Sequence, residues 1–307
     1  MTDVPQSLTL ADAMSLYQRY SPDLSRARIK NFQAAINRWT AFNGPLILDQ
    51  ICTGNYADYR RYAKGLNLAV PTIEGHINCL RALLRHCGPV TDSCPHGLGL
   101  IAKVPWVGKR LQWRPQPKPA VPLEHLSAVY QVADLSRRPT RAIHPTIFWR
   151  VYLVVAYNTG LRGSDLLGSL TWANYDAANH RLVAIASKTG KRHEFAVNSV
   201  VTRHLAMLPR VDERIFPLAP SNDGMIRRQL GELCELAGVP RFTPQWIRRR
   251  AATEYERVHP GSGALLLGHI LPGMGMTWMH YIDPCEVLSI AAGKVAQPAA
   301  FLPPQGG

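Results

Sequence analysis

The sequence predicts an α+β protein, mainly helical with one small β-sheet and divided into two domains. Three observations lead there. The first 86 residues read as successive amphipathic helices, residues 104–122 are dense in proline and cannot form a core, and the second half holds a single pair of β-type runs among helical segments. At 307 residues the chain is long enough for two domains that each bury a core.

In order, helices are expected over residues 8–20, 24–42, 53–65 and 71–87, separated by Ser-Pro, Asn-Gly and Lys-Gly breaks. They make a helical domain over residues 1–103. The stretch VPWVGKRLQWRPQPKPAVP, residues 104–122, reads as a basic extended linker. Beyond it, a helix over 123–133 precedes a strongly apolar one over 146–157 that stops at a glycine. RLVAIASKTGKRHEFAV gives two β-type runs around a Thr-Gly turn, a hairpin. Helices resume at 222–237 and 244–255, and the remainder is helical with a glycine-rich interruption at 273–275. The second domain is expected over 123–293, followed by a flexible tail over 294–307.

The chain carries a formal charge of +14 and a pI near 9.8, while charged residues are only 18% and hydrophobic ones 46%. This is a folded basic protein, and the balance favours a polyanionic partner, nucleic acid before membrane. Positive charge is distributed as +4 over residues 1–103, +4 in the linker and +6 over 123–307, as expected if both domains and the linker follow one nucleic-acid backbone. In the second helix Arg26, Lys30 and Arg38 lie among Ile29, Phe32, Ala35, Ile36 and Trp39, giving one basic and one apolar face. That face and Lys109, Arg110, Arg114 and Lys118 of the linker are the candidate DNA contacts, together with Arg249 and Arg250. A solvated helix face is the competing reading.

No basic segment followed by an apolar one opens the chain, and the longest apolar stretch, residues 147–157, is interrupted by Arg150 and too short to span a bilayer. A soluble cytoplasmic protein with no membrane contact is expected. The six cysteines fit reduced thiols better than a disulfide framework. His86, Cys87, Cys94 and His96 offer four zinc-type ligands without a CxxC pair, and no metal is expected.

Four separated elements could carry chemistry. In NTGLRGSDLL, Arg162 follows the glycine turn and Asp165 lies three residues on, within reach of its guanidinium. Lys188 sits at the tip of the hairpin in ASKTGKRHE. In FTPQWIRRRAAT, Thr243 is a good N-cap and Pro244 a good first helical residue, so Gln245 and Arg248 share one face while Arg249 and Arg250 point elsewhere. In LLLGHILPGMGMTWMHYID, His269 follows an apolar helix and Tyr281 a glycine-containing loop. Taken singly, the first reads equally as a local ion pair and the third as a basic DNA- or solvent-facing helix, while a turn lysine is more often simply solvated and such a tyrosine more often a core residue.

As a set they resemble the tyrosine recombinase, or phage integrase, family. NTGLRGSDLLGSLTWANYD is similar to its first arginine box, SKTG to its hairpin lysine, TPQWIRRRAAT to its His-x-x-Arg box, and LLGH followed by HY to its closing segment. The likeness runs from about residue 123 to 290; PTIEGHINCLRALLRHC more weakly resembles the family's core-binding domain. The resemblance implies a helical core-binding domain and an integrase-type catalytic domain. It also implies a site-specific recombinase that cleaves and rejoins double-stranded DNA as a nucleoid-associated homotetramer, with DNA-bending or directionality factors as accessory partners and without cofactor, metal or ATP.

Residue by residue, the resemblance implies that Tyr281 attacks a phosphodiester to form a 3′-phosphotyrosine. Arg162 and Arg248 would bind the non-bridging oxygens, Lys188 would protonate the departing 5′-oxygen, His269 would hydrogen-bond the phosphate and Asp165 would support Arg162. The chemistry suits those residue types. A phosphodiester gains equatorial charge in its transition state, which two permanently charged, forked guanidiniums match better than lysines. Tyrosine, with a pKa near 10, needs a base or a cationic field to act at pH 7.

Two departures stand out. Gln245 replaces the family histidine, and an amide hydrogen-bonds a phosphate but accepts no proton from tyrosine. The interval from His269 to Tyr281 is longer than the family's by about three residues. Gln245 favours the alternative of a catalytically impaired homologue that binds its site and regulates; the five other site residues favour the enzyme. A type IB topoisomerase-like enzyme is a third reading.

Overall fold

The computed structural model describes residues 7–92, 94–114, 116, 119–139, 143–269 and 284–304. The chain forms two compact units, Met1–Gln116 and Pro117–Gly307.

Among the described residues the first unit holds the α-helices α1 (Leu10–Tyr20), α2 (Arg26–Asn43), α3 (Thr53–Gly65) and α4 (Val70–Cys87). Thr9 starts α1 with a capping box: its hydroxyl accepts from the Asp12 N–H, and the Asp12 carboxylate accepts from the Thr9 N–H. Helix α4 packs on the other three. Trp39 stands with its ring centroid 5.1 Å from Tyr56 and 5.2 Å from Tyr59, all three fully buried. The returning chain closes the end of α4, since the N–H groups of Leu98 and Leu100 donate to the carbonyls of His86 and Cys87.

A buried ion pair joins α3 to α4. Arg60 Nε lies 2.7 Å from Glu74 Oε1, and its Nη2 3.2 Å from the other oxygen. Arg60 also donates to the Val107 carbonyl at 2.5 Å, and Glu74 accepts from the Leu111 N–H. The first part of the proline-rich stretch is thereby fixed to this unit, and Val107 is buried in its core. At the far end of the same stretch Val121 is buried in the core of the second unit.

The second unit begins with α5 (Leu123–Gln131) and α6 (Pro145–Thr159). Eleven residues of α6 are buried, which accounts for its nearly continuous apolar sequence. Then come the short α7 (Gly163–Gly168) and a three-stranded antiparallel sheet, β1 (Tyr175–Asp176), β2 (Arg181–Ile185) and β3 (Arg192–Ala196), in that order. Leu182 pairs with Phe195 and Ala184 with His193, so these four share the inward face of the β2–β3 hairpin. Helices α8 (Ser199–Leu205), α9 (Asp223–Leu236), α10 (Pro244–Val258), α11 (Ser262–Leu266) and α12 (Pro284–Ala292) complete the unit. Helix α10 packs on α6 and α11, and α12 on β3. The mainly helical α+β class is as the sequence predicts; the glycine-rich interruption at 273–275 lies outside the described residues.

The flexible tail expected over 294–307 is corrected for residues 294–304; residues 305–307 lie outside the described residues. Val295 and Phe301 are buried in the core. Tyr157 donates its hydroxyl proton to the Ala296 carbonyl, and the side-chain amides of Asn158 and Gln297 exchange hydrogen bonds of 3.1 and 2.9 Å. Two apolar anchors and a satisfied amide pair outweigh a composition that looks unstructured. No described helix is long and apolar enough to cross a membrane.

Candidate active site

The turn that ends α6 builds the site. Gly160 adopts φ +59 as the left-handed cap, and a Cβ there would come within 3.1 Å of the Leu266 side chain. Two residues later Arg162 takes the extended N-cap position of α7, which puts Asp165 in the first turn of that helix. Arg162 Nη1 is 3.4 Å from the Asp165 carboxylate, whose side chain is completely buried while the arginine's is one-third exposed (33%).

Asp165 does more than the sequence implies. Its other oxygen accepts from the Ser187 N–H at 3.0 Å and the Ser187 hydroxyl at 2.6 Å. One carboxylate therefore ties Arg162 to the residue that precedes Lys188. The hairpin turn closes through the Ala186 N–H to the Lys191 carbonyl at 2.8 Å, with Gly190 at φ +66 and Lys188 exposed at its tip.

Arg248 approaches from the second turn of α10. It is 5% exposed, and its guanidinium donates to the Gly160 carbonyl and, at 3.1 Å, to the Leu267 carbonyl. These two bonds leave three of its five N–H groups. Burial, and then the Arg162 charge beside it, push its pKa down to about 10, against the opposing effect of Asp165. Gln245 lies one turn earlier on α10 and is exposed.

His269 is exposed, with its backbone N–H on the Ala264 carbonyl at 2.9 Å. Burial and the charges of Arg248 and Arg162 hold its imidazole below the ordinary value. A second histidine, His193 on β3, is affected in the same way: burial, Arg248 and Arg162 lower its pKa, with Lys191 adding and Asp165 opposing. His193 was not among the sequence candidates. The register of the hairpin, which alternation alone leaves open, turns it inward.

The structure thus gathers Arg162, Asp165, Arg248, His193 and His269 around the carbonyls of Gly160 and Leu267, with Lys188 next to Ser187. Tyr281 lies outside the described residues, as does Lys118. Arg26, Lys30, Lys109 and Arg114 are exposed, and the exposed Arg110 donates to Asn78 at 3.5 Å. Arg249 donates to the Pro119 carbonyl at 3.2 Å. Arg250 donates to the Val121 carbonyl at 2.6 Å and to Glu254 at 2.8 Å with its side chain 18% exposed, so it is engaged by the protein itself.

Among the described residues no group of three or more His, Cys, Asp or Glu side chains converges as a metal site would require. Burial raises the Cys87 thiol to about 11, and the Cys94 thiol donates to the Arg85 carbonyl.

Solved structures supply the comparison. A λ integrase dimer bound to a COC′ core site superposes with TM-score 0.64 over 91% of this chain and 78% of that one, at 18% identity. The λ integrase fragment 75–356 on the same kind of site gives 0.65 over 90% and 96%, at 17%. The chain has the λ integrase fold. The Tn1549 transposon integrase with its transposon right-end DNA gives 0.63 over 90% and 95%, at 16% identity. No family sequence model and no curated protein matches the sequence.

Proposed function

We propose that the protein is a site-specific DNA recombinase of the tyrosine type. The observation that carries this reading is the pairing of Arg162 and Arg248: two guanidiniums share one site with one carboxylate, leaving an excess positive charge. Such a site is suited to a phosphodiester. The integrase fold supports it, and the solved integrases of that fold are bound to DNA.

In this mechanism the non-bridging oxygens lie on the remaining N–H groups of Arg248 and on Arg162, which Asp165 holds in orientation. The fixed cations offset charge as the phosphorane forms and lose no reorganisation energy at that moment. Tyr281 attacks phosphorus, Lys188 protonates the leaving 5′-oxygen, and His269 hydrogen-bonds the phosphate. The 3′-phosphotyrosine retains the bond energy, so a 5′-hydroxyl from the partner strand reverses the step without ATP or metal. A homotetramer on paired sites is the assembly that two such exchanges need; a λ integrase of this fold is a tetramer on a Holliday junction. Accessory bending or directionality factors belong to the same proposal, as do DNA contacts by Arg26, Lys30, Lys109, Arg110, Arg114, Lys118 and Arg249.

Gln245 favours a second reading, a DNA-binding regulator without cleavage. Nicked duplexes tiled across the DNA flanking the gene separate the two. A covalent protein–DNA adduct that disappears in Tyr281→Phe supports the recombinase; tight binding with no adduct supports the regulator.

A further inference from the structure

We infer that the first unit carries a site for an unpaired DNA strand, in the cleft between the end of α4 and residues 102–110, with Trp106 as its stacking platform. The inference goes beyond the recombinase reading above, and no step of it passes through Tyr281.

The cleft has a volume of about 650 Å³ and lies wholly within the first unit. Arg81 and Arg85 from α4 and Lys103 and Arg110 from the returning chain line it, and among the described residues no carboxylate does. Arg110 is engaged with Asn78, whereas the exposed Arg81 and Lys103 are in no ion pair among the described residues. Four cations without an acidic neighbour in the cleft wall make a site for phosphate.

Trp106 stands in the same wall, 64% exposed, and among the described residues its ring meets neither an aromatic ring nor a cation. The backbone beneath it is fixed. The Thr53 hydroxyl donates to the Trp106 carbonyl at 2.8 Å, the buried Val107 follows with its carbonyl on Arg60, and the Leu111 N–H donates to Glu74 at 3.2 Å. A large apolar ring is thus held out in water by a rigid support, which forfeits its burial and pre-organises it for contact.

A single strand fits this chemistry and a duplex does not. The cleft volume falls in the range of about 300–1,000 Å³ that encloses a small ligand, room for a nucleotide with its phosphate but not for a double helix. In a duplex each base face is covered by its neighbours. An unpaired base offers its face to the indole while the flanking phosphates reach Arg81 and Lys103.

The test titrates the full chain against fluorescent oligothymidylate, which cannot pair with itself, against oligouridylate of the same length and against a blunt DNA duplex. Trp106→Ala is expected to weaken oligothymidylate binding about tenfold, the loss of one stacked base, and Trp106→Phe to retain most of the affinity. Changing Arg81 and Lys103 together to alanine is expected to lower the slope of log affinity against log salt by about 1.4, two single-strand phosphates. Duplex affinity should not change in Trp106→Ala. Equal oligothymidylate affinity in wild type and Trp106→Ala, or an unchanged salt slope, overturns the inference. So does an equal loss on the duplex, which would make Trp106 a wedge in paired DNA, or tighter binding of oligouridylate, which would make the ligand RNA. None of these readouts involves cleavage, so absence of a covalent adduct refutes the recombinase reading alone.

Discussion

Asp165 offers the most quantitative test of how the site is held. Asp165→Ala removes a fully buried carboxylate that accepts two hydrogen bonds from Ser187 and faces Arg162 at 3.4 Å. Hydrogen bonds to a charged group contribute about 1.5–3 kcal/mol each. Ser187 is exposed and regains water, so the lower end applies; the one-third-exposed Arg162 adds about 0.5 kcal/mol. The expected loss is about 3.5 kcal/mol, near the bottom of the range for breaking a buried charged contact. With a urea m-value of about 2 kcal/mol/M, the midpoint of the second unit falls by about 1.7 M. Asp165→Asn keeps an acceptor for Ser187 and loses only the charge, so about half that shift is expected. Both variants should bind DNA yet form adduct at least about tenfold more slowly, because Arg162 and the lysine hairpin lose their common anchor. Midpoints of both variants within about 0.3 M of wild type would refute this account of Asp165.

Other consequences follow from the same contacts. Arg162→Ala should leave DNA affinity nearly intact and abolish adduct formation; normal cleavage in that variant overturns its assignment to the phosphate. Arg60→Ala leaves Glu74 buried without its partner and should cost about 3–5 kcal/mol in the first unit, read by denaturant unfolding. Burial opposes ionisation of Glu74, but hydrogen bonds from Arg60 and Leu111 prevail and hold its carboxyl below the ordinary range. Its stabilisation is therefore fully present above the unfolded carboxylate value of about 4.3 and lost as pH falls through the lower folded value, so Glu74→Gln should flatten the acid limb of the stability curve. Phe301→Ala should cost about 3–5 kcal/mol if the terminal segment belongs to the core, and a change under about 0.5 kcal/mol would restore the flexible tail.

How much was legible in the sequence depended on whether a signal was local. Helix α6 was readable because burial on all sides leaves an apolar run closed by a left-handed glycine, and Thr243-Pro244 marked the start of α10. Arg162 and Asp165 were readable as neighbours three residues apart. What Asp165 does was not, because Ser187 lies 22 residues away and meets it only once the hairpin folds back. His193 was hidden for a related reason: a one-residue slip in strand register would turn it outward, and only the pairing with Ala184 fixes its side. The Arg250–Glu254 pair, by contrast, is a simple four-residue helical spacing that could have separated Arg250 from the DNA contacts. Phe301 was obscured by the proline and glycine around it, although a phenylalanine in such a terminus is itself a sign of docking.

The central claim is that one anionic phosphodiester is held by Arg162 and Arg248 while Tyr281 attacks it. Its most direct test is to trap the adduct on nicked flanking-DNA duplexes, digest the protein and sequence the DNA-linked peptide by mass spectrometry. A 3′-phosphate on Tyr281, absent in Arg162→Ala and in Tyr281→Phe, is the predicted result; linkage to any other residue, or an adduct that persists without Arg162, contradicts the claim.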